Sequence, residues 1–351
     1  MRSSLTGARR PTFRFTAITG GGASLGGLSR VRRDDGRIEL SQQATIRGSG
    51  ELSRAVADGA ISERIKIEYV LDQGTADEQA WGLGVFYSAS PVTDYGAGTE
   101  TSTVEIYDGL LILHEDALAE PLHCPAGADP IAEVLLQLMA VGASRATVAP
   151  TTKTLREAIT FKAGTTRLQV VNALLDAVDY FALWCDGEGV YRVQPYVPPQ
   201  QRRVEWSFLP GDDSIILDDI TVESDTYAVP NRVIGISRTS GEEPALVAEQ
   251  IVRDPASPFH YDRLGRWRTE VMPDLEVTSQ AGLQAKVDRR LLEASTVLRK
   301  VTIRHGWVPI TINSVVTLDI HGVAGRFVVI NQNIPLNPRD LVSTTLKEVA
   351  Q

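Results

Sequence analysis

The chain has 351 residues, 43% apolar and 23% charged, with a net charge of −9. That balance is ordinary for a globular protein and lacks the basic footprint of a general nucleic-acid binder. No run of about 18 apolar residues is present, so no membrane-spanning helix is expected, and Arg9 and Arg10 interrupt any secretory signal. Two cysteines, Cys124 and Cys185, are too few for a disulfide framework and lack zinc spacing; they read as small buried hydrophobes. Charge is uneven. Residues 1–33 carry seven arginines and no acid, whereas 211–225, GDDSIILDDITVESD, carry six acids and no base.

In chain order, the first third reads as β structure. FRFTAIT, RIELSQQATI, RIKIEYVL, WGLGVFYSASPV and STVEIYDGLLILHED are rich in β-branched and aromatic residues and separated by turn-forming clusters. That spacing suggests a meander or a barrel-like sheet. GGGASLGG at 20–27 contains a formal G-x-S-x-G around Ser24, but no strand–turn–helix pattern surrounds it, so it reads as a glycine loop. The same loop fits neither the phosphate-cradling nor the dinucleotide pattern.

A helix begins at Asp129, a good N-cap, with Pro130 at its first position and Gly142 as its terminator. A second helix, capped at Thr165 or Thr166, carries the stripe Leu168, Val171, Leu175 and Val178, which predicts packing on one face. YFALWC and VYRVQPY then flank Asp186–Gly187–Glu188–Gly189. Asp-Gly between β-prone runs predicts a hairpin, with Gly187 at positive φ. The hydrophobic residues after that turn do not provide a calcium loop's ligands.

From residue 201 strands resume, interrupted by a long helix over 278–298 starting at Thr278. VTIRH, SVVTLDIHG, GRFVVINQNI and LVSTTLKEV give four final strands, with turns expected at Val323–Gly325 and at Asn337–Pro338. The five histidines never fall at ligand spacing, and His114-Glu115-Asp116 reads as a polar strand end. The segment SPFHYDRLGRWRTEV mixes aromatic and basic residues. Tyr261, Arg266 and Trp267 are its interface anchors, since such residues concentrate in protein contacts.

The ordered set DPIAEVLLQLMAVG, FKAGTTRLQVVNALLDAVDYFALWCDGEGVYRVQPY, DTYAVPNRVIGIS and YDRLGRWRTEVM, followed by VVTLDIHGVAGRFVVINQNIPL, resembles the tail-hub (baseplate-hub) proteins of long-tailed bacteriophages and phage-like particles. The resemblance covers about residues 125–335. It implies an α+β, β-rich chain with two tube-type β domains and inserted helix and hairpin elements. The divisions expected are 1–125 for the first β domain, 126–200 for the helix-hairpin region, and 201–351 for a second β domain discontinuous with the middle region. It also implies a homotrimeric ring in the virion tail tip, assembled in the host cytoplasm, that adapts a sixfold tube to a threefold tip. The partners implied are a distal-tail or tail-tube ring protein, a tape-measure protein, and tip or fibre proteins. DNA would pass transiently without specific binding, past a lining to which Asp212, Asp213, Asp218 and Asp219 contribute. The chain ends soon after its last strands, without the enzymatic extension of longer members, so no catalytic residue, metal or cofactor is expected. The competing readings are a glycan-binding tail protein using Tyr261 and Trp267, and a cell-wall hydrolase. An exposed aromatic patch favours the former, and facing carboxylates in a cleft the latter.

Overall fold

The computed structural model describes residues 5, 10–19, 23–28, 31–55, 64–96, 99–155, 157–211, 214–224, 229–237, 245–275, 280–295 and 299–349. It divides into two compact units. Unit 1 joins Met1–Ile220 with Thr302–Leu346, and unit 2 joins Thr221–Val301 with Lys347–Gln351. Strands from both ends of the chain share one sheet in unit 1.

Unit 1 opens with β1 (Pro11–Ile18), β2 (Ser24–Gly27), β3 (Val31–Ser41), β4 (Gly48–Ala55), β5 (Arg64–Leu71), β6 (Gln79–Gly96) and β7 (Thr99–Asp108). The side-chain period of two is plain in β5, where Ile65, Ile67 and Tyr69 are buried between the half-buried Arg64, Lys66 and Glu68. Antiparallel registers join β1 to β5, β5 to β6, β6 to β7, β7 to β4 and β4 to β3.

The run after β7 departs from the expected strand. Leu110–Glu115 is a helix, α1, so His114 and Glu115 close a helical turn. Asp108 Oδ1 accepts the Leu110 N–H at 2.9 Å, satisfying a donor that a helix start leaves open. A short apolar run has no period by which sequence distinguishes helix from strand.

A helical layer follows: β8 (Leu122–Cys124), α2 (Pro130–Ala140), β9 (Ala146–Val148), β10 (Ile159–Phe161), α3 (Arg167–Asp176), β11 (Trp184–Cys185) and β12 (Tyr191–Val193). Asp129 Oδ1 accepts the Ile131 N–H at 2.9 Å, and Gly142, at φ +70°, follows the end of α2. Thr166 caps α3 in a capping box with Gln169. α3 is buried more broadly than a single stripe: Val170 and Leu174 are buried beside Leu168, Val171 and Leu175, and α1 and α2 both pack against it.

β13 (Val204–Phe208) is the last strand before unit 2. Unit 2 contains β14 (Thr221–Ser224), β15 (Arg232–Ser237), β16 (Val247–Ile251), the short α4 (Tyr261–Leu264), β17 (Thr269–Leu275) and α5 (Gln280–Ser295). The expected helix start at Thr278, and residues 296–298, lie outside the described residues. β15 runs between antiparallel β16 and parallel β17. Leu283, Val287 and Leu291 of α5 close a small core over Val233 and Ala248.

The chain continues through β18 (Arg299–His305), β19 (Val315–Ile320), β20 (Val323–Pro335) and β21 (Val342–Glu348). His321 and Gly322, at φ +50° and +78°, make a two-residue turn between β19 and β20. Val323–Gly325, read from sequence as that turn, is instead the start of β20. The first half of β20 pairs with β19 and the second half with β3, with Ile334 opposite Ile38. One sheet therefore runs β18-β21-β20-β3-β4-β7-β6-β5-β1-β2, with β19 and β13 branching from β20. The fold class is α+β and β-rich, with large antiparallel sheets.

Gly235 of β15 lets α5 approach its sheet. A Cβ there would lie 2.5 Å from Val287 Cγ2. Gly235→Ala is expected to destabilise unit 2 by about 1–3 kcal/mol through overpacking, read as a lower urea midpoint.

Candidate functional site

The residues singled out in the sequence fall in three places: the β11–β12 turn, the segment before β14, and the stretch from α4 to β17. The turn is organised by Asp186. Its Oδ1 accepts the N–H groups of Glu188 and Val190, each at 2.9 Å, and its Oδ2 accepts from Arg192 Nε at 2.9 Å. The Gly189 N–H closes the turn on the Asp186 carbonyl at 2.9 Å, and Gly189 takes φ +70°. A turn followed by a left-handed glycine is the three-residue form of the hairpin loop.

Gly187 is therefore not the positive-φ residue that the Asp-Gly pair suggested; Gly189 is. Gly187 has another reason to be glycine, since a Cβ on it would sit 2.0 Å from the Gly82 carbonyl oxygen of β6. Gly82 faces the same limit, 2.3 Å from the Gly187 carbonyl oxygen. Two backbones thus meet where neither tolerates a side chain, and Lys66 Nζ reaches Glu188 Oε2 at 2.7 Å alongside. The hairpin tip is docked on the β5–β6 ribbon.

A buried carboxylate lies beneath this joint. Asp108, at the end of β7, accepts the Gly48 N–H at 2.8 Å and the Leu110 N–H at 2.9 Å. Arg47, Cys185 and Tyr191 are the charged or titratable groups coupled to it. Burial raises the Asp108 carboxyl to about 6, outweighing its two backbone hydrogen bonds and the Arg47 charge. Burial likewise pushes the Cys185 thiol well up and lowers the Arg47 guanidinium. The Tyr191 hydroxyl donates to the Gly109 carbonyl at 2.7 Å, so β12 is tied to the start of α1. Cys124 is buried and Cys185 partly buried, and both are free thiols.

In unit 2, the Tyr261 and Trp267 rings lie 4.6 Å apart and are 39% and 41% exposed. The Arg232 guanidinium stands 5.6 Å from the Trp267 ring centre. Arg266 is exposed, and its carbonyl accepts from Asn231 Nδ2 at 3.0 Å. Asn231 is fully buried and also accepts the Arg268 N–H at 2.7 Å, which fixes the segment carrying Trp267. Asp212 and Asp213 lie outside the described residues; Asp218 and Asp219 are exposed, and the Asp218 carbonyl accepts from His321 Nε2 at 2.7 Å. Ser24 opens the exposed strand β2, antiparallel to β1, rather than a strand-to-helix turn.

Sequence reasoning missed Asp108, Gly82 and Asn231. A Gly in a strand carries no distinguishing local signal, and Gly82 acquires its role from the distant Gly187 backbone. Asp108 meets the nearby Leu110 N–H, and its second partner, the Gly48 N–H, comes from a distant strand. Asn231 stood within a recognised stretch, but nothing nearby indicated that it binds the segment after α4.

The described arrangement is a large antiparallel sheet fastened to a helical layer by a docked hairpin, together with a small α/β unit that exposes an aromatic pair. No protein-family model and no curated protein matches the chain. Solved structures do match. A tail protein from Neisseria meningitidis MC58 aligns with a TM-score of 0.65 at 14% identity, over 97% of this chain and 97% of its own. The 43 kDa tail protein of prophage MuSo2 from Shewanella oneidensis gives 0.64 at 13%, over 96% and 98%. Prophage tail protein gp18 from Listeria monocytogenes EGD-e gives 0.56 at 11%, over 95% and 94%. The chain has the fold of phage tail proteins.

Two outcomes test the joint. Gly187→Ala should destabilise by about 1–3 kcal/mol, because it forces the hairpin off Gly82; an unchanged denaturation midpoint would contradict the docking. The folded Asp108 pKa of about 6 exceeds its ordinary 3.8, so the folded chain holds that proton more tightly than the unfolded one. The resulting stabilisation is complete below about pH 4 and is lost as pH rises through about 6, amounting to about 3 kcal/mol. Asp108→Asn should remove that part of the pH dependence, measured as the difference from wild type in urea titrations between about pH 4 and 7.

Proposed function

We propose that the protein is a non-enzymatic structural component of a phage or phage-like tail tip, a hub whose copies form a trimeric ring between the tail tube and the tip. The observation that carries this reading is the fold shared with tail proteins over nearly the whole length of each. Its partners would be the adjoining ring, tape-measure and tip or fibre proteins, and its location the virion tail.

The Tyr261–Trp267 pair, with Arg266 beside it, is the proposed contact with a neighbouring subunit or ring. Exposed Trp and Tyr beside arginine are the usual anchors of such contacts. Its exposure also fits the second reading, a sugar platform. That reading is weaker here because Tyr261 and Arg232 already lie against the Trp267 ring. Asp218 and Asp219, with Asp212 and Asp213, are proposed for the channel lining. A wall of carboxylates keeps DNA mobile, since phosphate attraction scales with the basic groups presented.

Light scattering on protein co-expressed with its tail-tip partners is expected to report three copies per assembly. The double substitution Tyr261→Ala and Trp267→Ala should reduce assembly without changing the melting of the free chain. A chain that stays monomeric with those partners would refute the ring. Turnover of peptidoglycan or esters that is abolished by Ser24→Ala would refute the non-enzymatic role.

A further inference from the structure

One concave surface of unit 1 has chemistry that a purely structural role leaves unused. The β11–β12 hairpin and the segment 307–314 form the walls of a groove. A cavity of about 380 Å3 at one end lies against Trp81, Trp307 and Asp186. A second, of about 310 Å3, lies against Phe181, Trp184, Gln194 and Asp186. Asp186 and Thr311 line both, so the two are successive parts of one depression.

The charged groups along it already have partners. Asp186 is held by Arg192 at 2.9 Å, Glu188 by Lys66 at 2.7 Å, and Glu205 accepts the Ser314 hydroxyl at 2.8 Å. The Arg202 guanidinium donates to the Val197 and Asn313 carbonyls at 2.6 and 2.9 Å and lies over the Phe181 ring. A charged ligand would have to displace these contacts to repay its own desolvation. Neutral groups are open instead. The Trp184 indole N–H, the Gln194 carboxamide and the Thr311 hydroxyl make no hydrogen bond with the described residues, and all three side chains belong to partly exposed residues. Together they offer two kinds of donor and two acceptors beside aromatic surface.

That combination matches a pyranose. Its C–H face packs on an aromatic ring, while its hydroxyls both donate and accept. Cavities of this size are the usual form of a small-ligand site, and the polar lining of the second suits a hydroxyl-rich ligand. A proline-rich peptide also uses tryptophan-lined grooves. An added peptide strand would need a longer edge than the two residues of Trp184–Cys185. We propose that this groove binds a neutral oligosaccharide, with Trp184 as the stacking platform and Gln194 and Thr311 as hydroxyl readers.

The test titrates the full chain with maltotriose, with the trimer of N-acetylglucosamine, and with a proline-rich decapeptide, followed by tryptophan fluorescence and calorimetry. Saturable binding of at least one sugar is expected. Trp184→Ala should weaken it roughly tenfold, the worth of one aromatic contact. Gln194→Ala, at a partly exposed position outside the core, should weaken it in the same direction without altering the melting midpoint. Trp267→Ala should leave it unchanged. The proposal fails if neither sugar saturates, if the decapeptide binds more tightly than both, or if the loss follows Trp267 rather than Trp184. None of these outcomes bears on the number of copies in the tail-tip assembly, so the groove and the ring are tested separately.

Discussion

The pairing of β3 with β20 is the constraint on which unit 1 depends. Residues 37–41 and 331–335 exchange antiparallel hydrogen bonds across nearly the whole sequence, and Ile38 and Ile334 face each other fully buried. The Leu336 N–H continues the ladder to the Gly36 carbonyl at 2.9 Å. Without this ladder the strands from the two ends of the chain would be separate sheets with open edges. Open edges are a liability because their unpaired backbone groups invite association. The entropic cost of closing so long a loop grows only slowly with its length, by about 0.6 kcal/mol per doubling. A short, well-registered ladder with an apolar pair at its centre is enough to hold it.

The helical layer is then fastened to that sheet at two points that work by different physics. At the hairpin tip the fit is steric, since Gly82 and Gly187 approach so closely that shape alone sets the register. At Asp108 the fit is polar. A carboxylate is held in the interior by two backbone N–H groups and the Arg47 charge, and burial still raises its pKa. Buried polar groups cost free energy unless they are bonded. Asp108 therefore specifies where β7 ends and α1 begins more than it adds to stability. The half-exposed ion pair of Lys66 and Glu188 next to the tip is a smaller, solvent-screened contribution.

The small unit is organised differently. Its sheet needs an arrangement that brings parallel β17 beside β15, and Asn231 ties that turn of the chain by bonding the backbone of Arg266 and Arg268. The aromatic pair is thus carried on a fixed segment, which lowers the entropic cost of using it in a contact.

Much of the local structure was determined by the sequence alone. Asp129, Pro130 and Thr166 mark helix starts because capping depends on neighbours within three residues. The alternation in RIKIEYVL marks a strand because burial there follows a period of two. Asp186–Gly187 between two β-prone runs marks a hairpin because a tight turn needs such residues, although the left-handed position falls at Gly189. The tertiary structure decided what distant groups impose. LLILHE is a helix whose Leu110 and Leu113 are buried in the core of the helical layer, a packing that its short apolar run did not announce. The turn before β20 fell at His321–Gly322, ahead of the segment that composition favoured. Gly187 is required by Gly82, a hundred residues away, rather than by its own φ. Sequence patterns report forces acting over a few residues, whereas the joint and the seam arise from backbones that meet only after the chain has folded.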